Sequence, residues 1–151
     1  MSSTRPKVLV LNGPTTNFYG QRSTGVYGSD GLPQIEERCL RMGADLGLAV
    51  ECRQSNHEGV LLDWIGAARG DFSAIVMNGA GAAYVSVALH DALTAFEGIV
   101  IEVHMSNTAK RESFRHRSFV GLAALGTIAG FGPLGYELAL RVVADRLGQG
   151  A

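Results

Sequence analysis

A glutamate and a histidine stand two positions apart inside one apolar run, IVIEVH, at residues 99–104. Side chains two positions apart on a strand point to the same face of a sheet, so Glu102 and His104 should lie side by side. A carboxylate buried in a strand is costly unless it is paired. Paired with the imidazole, it would hold one tautomer and raise the ring's basicity, as acid–base catalysis requires. The alternative is a salt bridge from Glu102 to an arginine at the sheet edge.

Polar side chains also stand where the other apolar runs end. Each one alone is explained by turn chemistry, because asparagine caps helices and tolerates left-handed backbone. Hydrogen-bonding side chains at the ends of four apolar runs instead favour one shared ligand site. These positions are Asn12, Ser55, Asn56, His57, Asn78, Ser106 and Asn107.

A basic segment, KRESFRHR at residues 110–117, follows the polar residues Ser106 and Asn107. Such a run is usually a solvated face. However, Arg111 and Arg115 are four positions apart, so one helical turn would present both on one side. Two guanidiniums there suit an anionic or hydroxylated small ligand. Because the run is short and the net charge is −1, we expect no nucleic-acid partner.

The elements that must position these residues are apolar runs that alternate with segments of helical period. Predicted strands cover residues 7–11, 48–54, 73–78, 99–104 and 126–132, with helices between them and after the last. Nearly continuous apolar strands indicate a parallel sheet covered on both faces. We therefore predict an α/β fold, a flavodoxin-like three-layer sandwich with a five-stranded parallel sheet and helices on both faces. Residues 1–151 should form a single domain.

Composition and missing motifs exclude other classes of protein. With 46% hydrophobic and 18% charged residues, the chain should be a compact globular protein. No run approaches the ~18 apolar residues of a membrane span, and the amino-terminal run is too short for a signal peptide, so we expect a cytoplasmic protein without a membrane partner. Phosphate-loop, nucleophile-elbow and metal-ligand spacings are missing, so we expect no cofactor and no metal.

Taken together, the motifs resemble the type II 3-dehydroquinate dehydratases. The resemblance runs over about residues 7–145 and rests on LNGP (11–14), the segment 22–28, RQSNHEG (53–59), IEVHMSN (101–107) and RESFRHRS (111–118). It implies the flavodoxin-like fold and a small-molecule substrate, without metal, nucleotide or Schiff-base lysine. It also implies a homo-oligomer, a dodecamer of trimers.

The resemblance implies a role for each matching catalytic residue. Tyr27, on a glycine-rich lid, would remove a proton from the carbon next to the substrate ketone. An ordinary phenol is a poor base at neutral pH, and the guanidiniums of Arg22 and Arg111 would lower its pKa. His104 would protonate the departing hydroxyl, oriented by Glu102. The reaction would be an anti elimination of water through an enolate, giving 3-dehydroshikimate in the shikimate pathway.

Further residues would bind the substrate and the intermediate. Asn12 would hold a water molecule that stabilises the enolate. Arg115 would contact ring hydroxyls, and Asp91 would reach the site of a neighbouring subunit. The substrate carboxylate would be bound by Asn78, Met105 and Ser106.

Three segments depart from the family pattern. Tyr84 stands where the family usually has a substrate-binding histidine, and tyrosine is larger and places its hydroxyl differently. The lid has Thr24 and an added Gly25 near the usual proline, which loosens its hinge. Thr15 and Thr16 replace the usual Asn-Leu pair. The residues of the elimination chemistry, Tyr27, His104, Arg22 and Arg111, match the family, whereas the contacts to the ring hydroxyls are altered. An amino-substituted dehydroquinate remains an alternative substrate, and a catalytically weak paralogue that binds a cyclic hydroxy acid remains an alternative function.

Overall fold

The computed structural model describes residues 4–21 and 30–148 of the chain. In these residues, strands and helices alternate along most of the chain. The strands are β1 (Lys7–Asn12), β2 (Ala49–Gln54), β3 (Ala74–Asn78), β4 (Ile99–His104) and β5 (Gly126–Ala129). The α-helices are α1 (Leu32–Asp45), α2 (Glu58–Ala68), α3 (Val87–Phe96), α4 (Phe119–Ala123) and α5 (Leu134–Arg146). Short 3₁₀ helices cover Thr16–Phe18, Ala80–Tyr84, Thr108–Lys110 and Ser113–Arg115.

The strands form one sheet in the order β2-β1-β3-β4-β5, and every neighbouring pair is parallel. The predicted five-stranded parallel sheet is thereby confirmed. The strand order reverses direction between β1 and β3, where the carboxyl ends of such sheets open a crevice for ligands. Asn12 and Asn78 are register partners at this point, so the two polar strand ends meet there.

Alternate residues of the sheet enter two separate cores. Val8 and Val10 of β1 pack with α1 and α5 on one face. Leu9 and Leu11 of the same strand pack with α2, α3 and α4 on the other. The three-layer arrangement therefore follows from apolar residues on both sides of the strands.

The element boundaries differ from the prediction at the turns. The fifth strand ends at Ala129, because Gly130 and Gly132 adopt left-handed backbone, with φ of 100° and 59°. Helix α3 begins after Ser86, whose hydroxyl accepts the backbone N–H of Leu89 at 3.0 Å. Helix α4 was not predicted, since five residues are too few to display a helical period. Across the described residues, no helix is both long and apolar enough to span a membrane.

Candidate active site

The carboxyl ends of the parallel strands border a cavity of about 170 Å³. Its walls come from the loop after β1, the end of β3 with the following 3₁₀ helix, and the segment after β4. Most of the residues predicted to bind or transform a ligand meet here. Those that line the cavity are Asn78, Tyr84, His104, Met105, Ser106, Arg111 and Arg115, together with Thr15, Tyr19, Ala80 and Gly81.

Glu102 and His104 form a buried pair at the end of β4. Oε2 of Glu102 lies 2.9 Å from Nε2 of His104, and the two residues are 2% and 5% exposed. The carboxylate also accepts hydrogen bonds from the hydroxyls of Ser118 and Thr127. Strand β4 lies between β3 and β5, so Glu102 is inside the sheet. The alternative of an arginine salt bridge at the sheet edge is not found among the described residues.

Helix α4 begins directly against this carboxylate. The hydroxyl of Ser118 donates to Glu102 and accepts the backbone N–H of Gly121 at 3.1 Å, so it also caps the helix. A Cβ atom at position 121 would lie 2.7 Å from Oε1 of Glu102. The close approach of the helix to the carboxylate therefore requires Gly121.

The hydrogen bonds around Glu102 settle the tautomer of His104. Burial raises the pKa of Glu102, but the hydrogen bond and charge of His104 and the bonds from Ser118 and Thr127 outweigh burial, so this pKa lies below its ordinary value. An ionised carboxylate can only accept hydrogen bonds, so Nε2 of His104 carries a proton. Nδ1 is then the nitrogen that can exchange a proton with a ligand.

Tyr84 lies directly against that second nitrogen. Its hydroxyl is 3.3 Å from Nδ1 of His104. The two rings stack with their centroids 5.6 Å apart and their planes at 17°. Burial raises the pKa of Tyr84 above its ordinary value, although a hydrogen bond and the charge of Arg115 act in the opposite direction. The phenol is therefore neutral and can donate its proton.

The two predicted arginines enter the cavity from a segment with two short 3₁₀ helices. Arg111 lies between two 3₁₀ helices, so the expectation that one helical turn presents both arginines is wrong. Nη1 of Arg111 nevertheless donates to the hydroxyl of Ser106 at 3.2 Å, and the guanidinium of Arg115 lies 5.5 Å from the centre of the Tyr84 ring. Glu112 pairs with both arginines, at 3.7 Å and 3.0 Å, and holds them on the same side.

A buried chain of hydrogen bonds extends inward from the cavity wall. Nδ2 of Asn78 donates to the hydroxyls of Tyr19 at 2.9 Å and Tyr136 at 2.8 Å. The hydroxyl of Tyr136 donates in turn to Oδ1 of Asn12 at 2.5 Å. Asn12 is fully buried and does not line the cavity, and its Nδ2 has no hydrogen-bond partner among the described residues. The hydroxyl of Tyr136 thus joins the side chains of Asn12 and Asn78, which are register partners in the sheet.

Sequence motifs single out neither Tyr19 nor Tyr136. Tyr19 follows the carboxyl end of β1, where ligands bind in such sheets, and this position was the available signal. Tyr136 belongs to α5 and meets Asn12 from 124 positions away, so no local pattern reveals it.

Of the three remaining predicted residues, one lies in the described part of the chain. Arg22 and Tyr27 lie outside the described residues. Asp91 is on α3 with its side chain 73% exposed, away from the cavity lining, and it contacts His90 at 3.2 Å. In the described ranges, no group of three or more His, Cys, Asp and Glu side chains is placed to hold a metal ion.

Known proteins resemble this chain over nearly its whole length. Residues 6–144 match the model of the family described as Dehydroquinase class II. The 3-dehydroquinate dehydratase 2 of Pseudomonas aeruginosa is 52% identical over 139 residues, which are 92% of this chain and 94% of that protein. The 3-dehydroquinate dehydratase 1 of Agrobacterium fabrum is 49% identical over 138 residues, 91% of this chain and 95% of that protein. The crystal structure of a type II dehydroquinase from Propionibacterium acnes has a TM-score of 0.90 at 41% identity and covers 95% of this chain and 99% of that one.

Proposed function

Because this chain belongs to the class II dehydroquinase family, we propose that it is a 3-dehydroquinate dehydratase, a carbon–oxygen lyase that produces 3-dehydroshikimate. Relatives with that name are 49% and 52% identical over nine-tenths of the chain. The structural observation that carries the proposal is the buried Glu102–His104 pair beside a cavity lined by Arg111 and Arg115. A proton donor next to two guanidiniums suits a ring that carries a carboxylate and a leaving hydroxyl.

The acid half of the reaction is assigned to His104. Protonated at both nitrogens, the imidazolium keeps one proton on Glu102 and supplies the other from its Nδ1 side. The electrons of the enolate form the new C=C bond as the ketone is restored, the C–O bond breaks with its electron pair going to the departing oxygen, and the proton completes a water molecule. The ionised carboxylate of Glu102 stabilises the imidazolium before this step and orients the neutral imidazole after it.

The base half is assigned to Tyr27, with Arg22 and Arg111 as the groups that favour its phenolate. Tyr27 would take a proton from the carbon next to the ketone, which leaves an enolate. Of these three residues, Arg111 lies in the described part of the chain, on the cavity wall. Its contact with Ser106 supports the proposal, because it fixes a positive charge on that wall.

The substrate carboxylate is assigned to Asn78, Met105 and Ser106. All three line the cavity, and Ser106 follows His104 closely in the chain. Nδ2 of Asn78 donates to two phenols, and its Oδ1 accepts the backbone N–H of Ala80 at 3.1 Å. These bonds fix the amide at the cavity wall; because both Nδ2 hydrogens are used, Asn78 would bind the carboxylate by exchanging one of its two phenol bonds for it.

Asn12 is assigned to the water molecule that stabilises the enolate. Its buried Nδ2 without a hydrogen-bond partner in the described residues is a donor that a water molecule can satisfy. The bond from Tyr136 fixes the amide so that Nδ2 is the group left to bind it.

The chain is further proposed to act as a homo-oligomer, a dodecamer of trimers, in the cytoplasm. Val87 is 55% exposed and stands one turn before Asp91 on α3. Val85, two positions before Val87 in the chain, is 75% exposed. An apolar surface of this kind is typical of a face covered by another protein. Its proximity to Asp91 supports the proposed contact of Asp91 with the site of a neighbouring subunit.

Product analysis tests the activity and the stereochemistry together. The purified protein is incubated with 3-dehydroquinate that carries deuterium at one or the other position of the carbon next to the ketone. We expect 3-dehydroshikimate in the proton NMR spectrum, with the label lost only from the substrate whose deuterium is anti to the departing hydroxyl; loss from the other substrate would show a syn elimination. Turnover of the amino-substituted analogue without turnover of 3-dehydroquinate would replace the proposed substrate. Binding of 3-dehydroquinate without turnover would overturn the activity.

A further inference from the structure

Both nitrogens of His104 are already engaged in the structure. Nε2 is held by Glu102 at 2.9 Å, and Nδ1 is covered by the hydroxyl of Tyr84 at 3.3 Å. His104 is 5% exposed and Tyr84 is half-buried, and both residues line the cavity. A ligand in the cavity therefore meets the Tyr84 hydroxyl at the position where it would have to meet Nδ1.

The hydroxyl of Tyr84 can accept and donate a proton at the same time. Against neutral His104, the phenol donates its hydrogen to Nδ1. Against the imidazolium, the direction reverses: Nδ1–H donates to the phenol oxygen, and the phenol hydrogen is free to point into the cavity. The same contact thus serves both protonation states of the histidine.

We propose that Tyr84 passes the proton from His104 to the departing hydroxyl, an inference that rests on the proposed dehydratase function. The enolate electrons form the new C=C bond as the ketone is restored; the C–O bond breaks, and its electron pair goes to the departing oxygen, which takes the Tyr84 proton. Nδ1–H of His104 simultaneously gives its proton to the Tyr84 oxygen. Water, neutral His104 and an intact phenol result, so that atoms and charges balance.

Arg115 is placed to assist this transfer. Its guanidinium lies 5.5 Å from the centre of the Tyr84 ring, and its hydrogen bonding and positive charge act to lower the pKa of the phenol. The phenol oxygen gains negative charge while it gives up its proton, and a nearby positive charge stabilises that change. Glu112 holds the Arg115 Nε at 3.0 Å and thus keeps the guanidinium close to the ring.

The competing interpretation is that Tyr84 only binds a ring hydroxyl of the substrate. The two roles differ in what the hydroxyl does during the chemical step. A binding contact alters KM and leaves kcat nearly unchanged, whereas a proton relay alters kcat. A binding contact also acts independently of His104, whereas a relay acts through it.

Tyr84→Phe removes the hydroxyl and keeps the ring that stacks on His104 and under Arg115. With 3-dehydroquinate we expect kcat to fall about 10²-fold, while KM changes by less than about threefold. Binding of 3-dehydroshikimate, measured by calorimetry, should equal that of wild type and thus report an intact site. A kcat within about twofold of wild type, or a change confined to KM, would overturn the relay.

The double variant with His104→Gln separates the relay from an independent contact. Once His104 cannot supply a proton, Tyr84→Phe should lower kcat by less than a further twofold or so. If the two losses multiply instead, Tyr84 does not act through His104 and the relay is wrong. If wild type leaves 3-dehydroquinate unchanged, the proposed function itself fails. If wild type and Tyr84→Phe turn over 3-dehydroquinate equally fast, the relay alone is overturned and the proposed function stands.

Discussion

Nε2 of His104 lies 2.9 Å from Oε2 of Glu102, on neighbouring same-face positions of a strand inside the sheet. At this distance, two residues that are two positions apart in the sequence form a carboxylate–imidazole pair. Pairing explains why a parallel sheet tolerates a carboxylate that is 2% exposed. It also assigns one nitrogen of the imidazole to the protein and leaves the other for chemistry.

Acid should destabilise wild type more than Glu102→Gln. The pKa of Glu102 lies below its ordinary value of 4.5 in the folded state, because the bonds from His104, Ser118 and Thr127 outweigh the effect of burial. The ionised carboxylate therefore adds stability that is fully present above pH 4.5 and is lost as the pH falls through the folded-state pKa. Urea unfolding at a series of pH values should show wild type losing stability relative to Glu102→Gln below pH 4.5. If the difference in the free energy of unfolding between wild type and Glu102→Gln stays constant on acidification, or grows in favour of wild type, the pairing is contradicted.

Ser118→Ala should reduce both stability and turnover. The hydroxyl caps α4 and donates to Glu102, so we expect a loss of about 2–3 kcal/mol in the free energy of unfolding. With one of its three orienting bonds removed, Glu102 should support a kcat about tenfold lower, which corresponds to ~1.4 kcal/mol. Urea denaturation and steady-state kinetics measure the two effects.

Ser86→Ala is the matched control, because Ser86 caps α3 by the same bond without contacting Glu102. It should cost about 1 kcal/mol of stability and leave kcat close to wild type. Equal losses of kcat in the two variants would show that capping, rather than the bond to Glu102, affects turnover.

Gly121→Ala should displace Glu102. The added Cβ would lie 2.7 Å from its Oε1, and the overpacking should cost about 1–3 kcal/mol of unfolding free energy. The kcat should fall as well, since the carboxylate moves away from His104. Thermal unfolding and the dehydratase assay measure these changes.

Gly66→Ala tests whether helical glycines in general respond in this way. Gly66 is exposed within α2, and a Cβ atom added there would meet no atom within 4 Å outside its own helix. Alanine there should raise the free energy of unfolding by about 0.5–1 kcal/mol and leave kcat unchanged. If Gly121→Ala also stabilises the protein, the proposed contact with Glu102 is absent in solution.

The sequence predicted the parts of the molecule that are encoded locally. Alternating apolar runs and helical periods led to the parallel sheet, and the predicted bounds of 99–104 for the fourth strand agree with β4 (Ile99–His104). The period of two within that strand also placed Glu102 beside His104. Both inferences use residues that are close together in the chain.

The parts that were missed depend on contacts between distant segments. Tyr136 reaches Asn12 across 124 positions, and Ser118 reaches Glu102 from a helix of only five residues. Arg111 and Arg115 do share a cavity wall, but Arg111 lies between two 3₁₀ helices and Arg115 ends the second, so no single helical turn presents both. Such positions are set by tertiary packing, which no local period reports.

The most direct test of the proposed function compares wild type with His104→Gln on 3-dehydroquinate, following the ultraviolet absorbance of the conjugated enone product. Glutamine is polar and similar in reach, so the cavity stays polar while the proton donor is lost. We expect wild type to produce the absorbance and the variant to be slower by about 10²–10⁴-fold, with both proteins folded by circular dichroism. A variant as fast as wild type would contradict the assignment of His104 as the acid. A folded wild type that produces no absorbance would contradict the proposed activity.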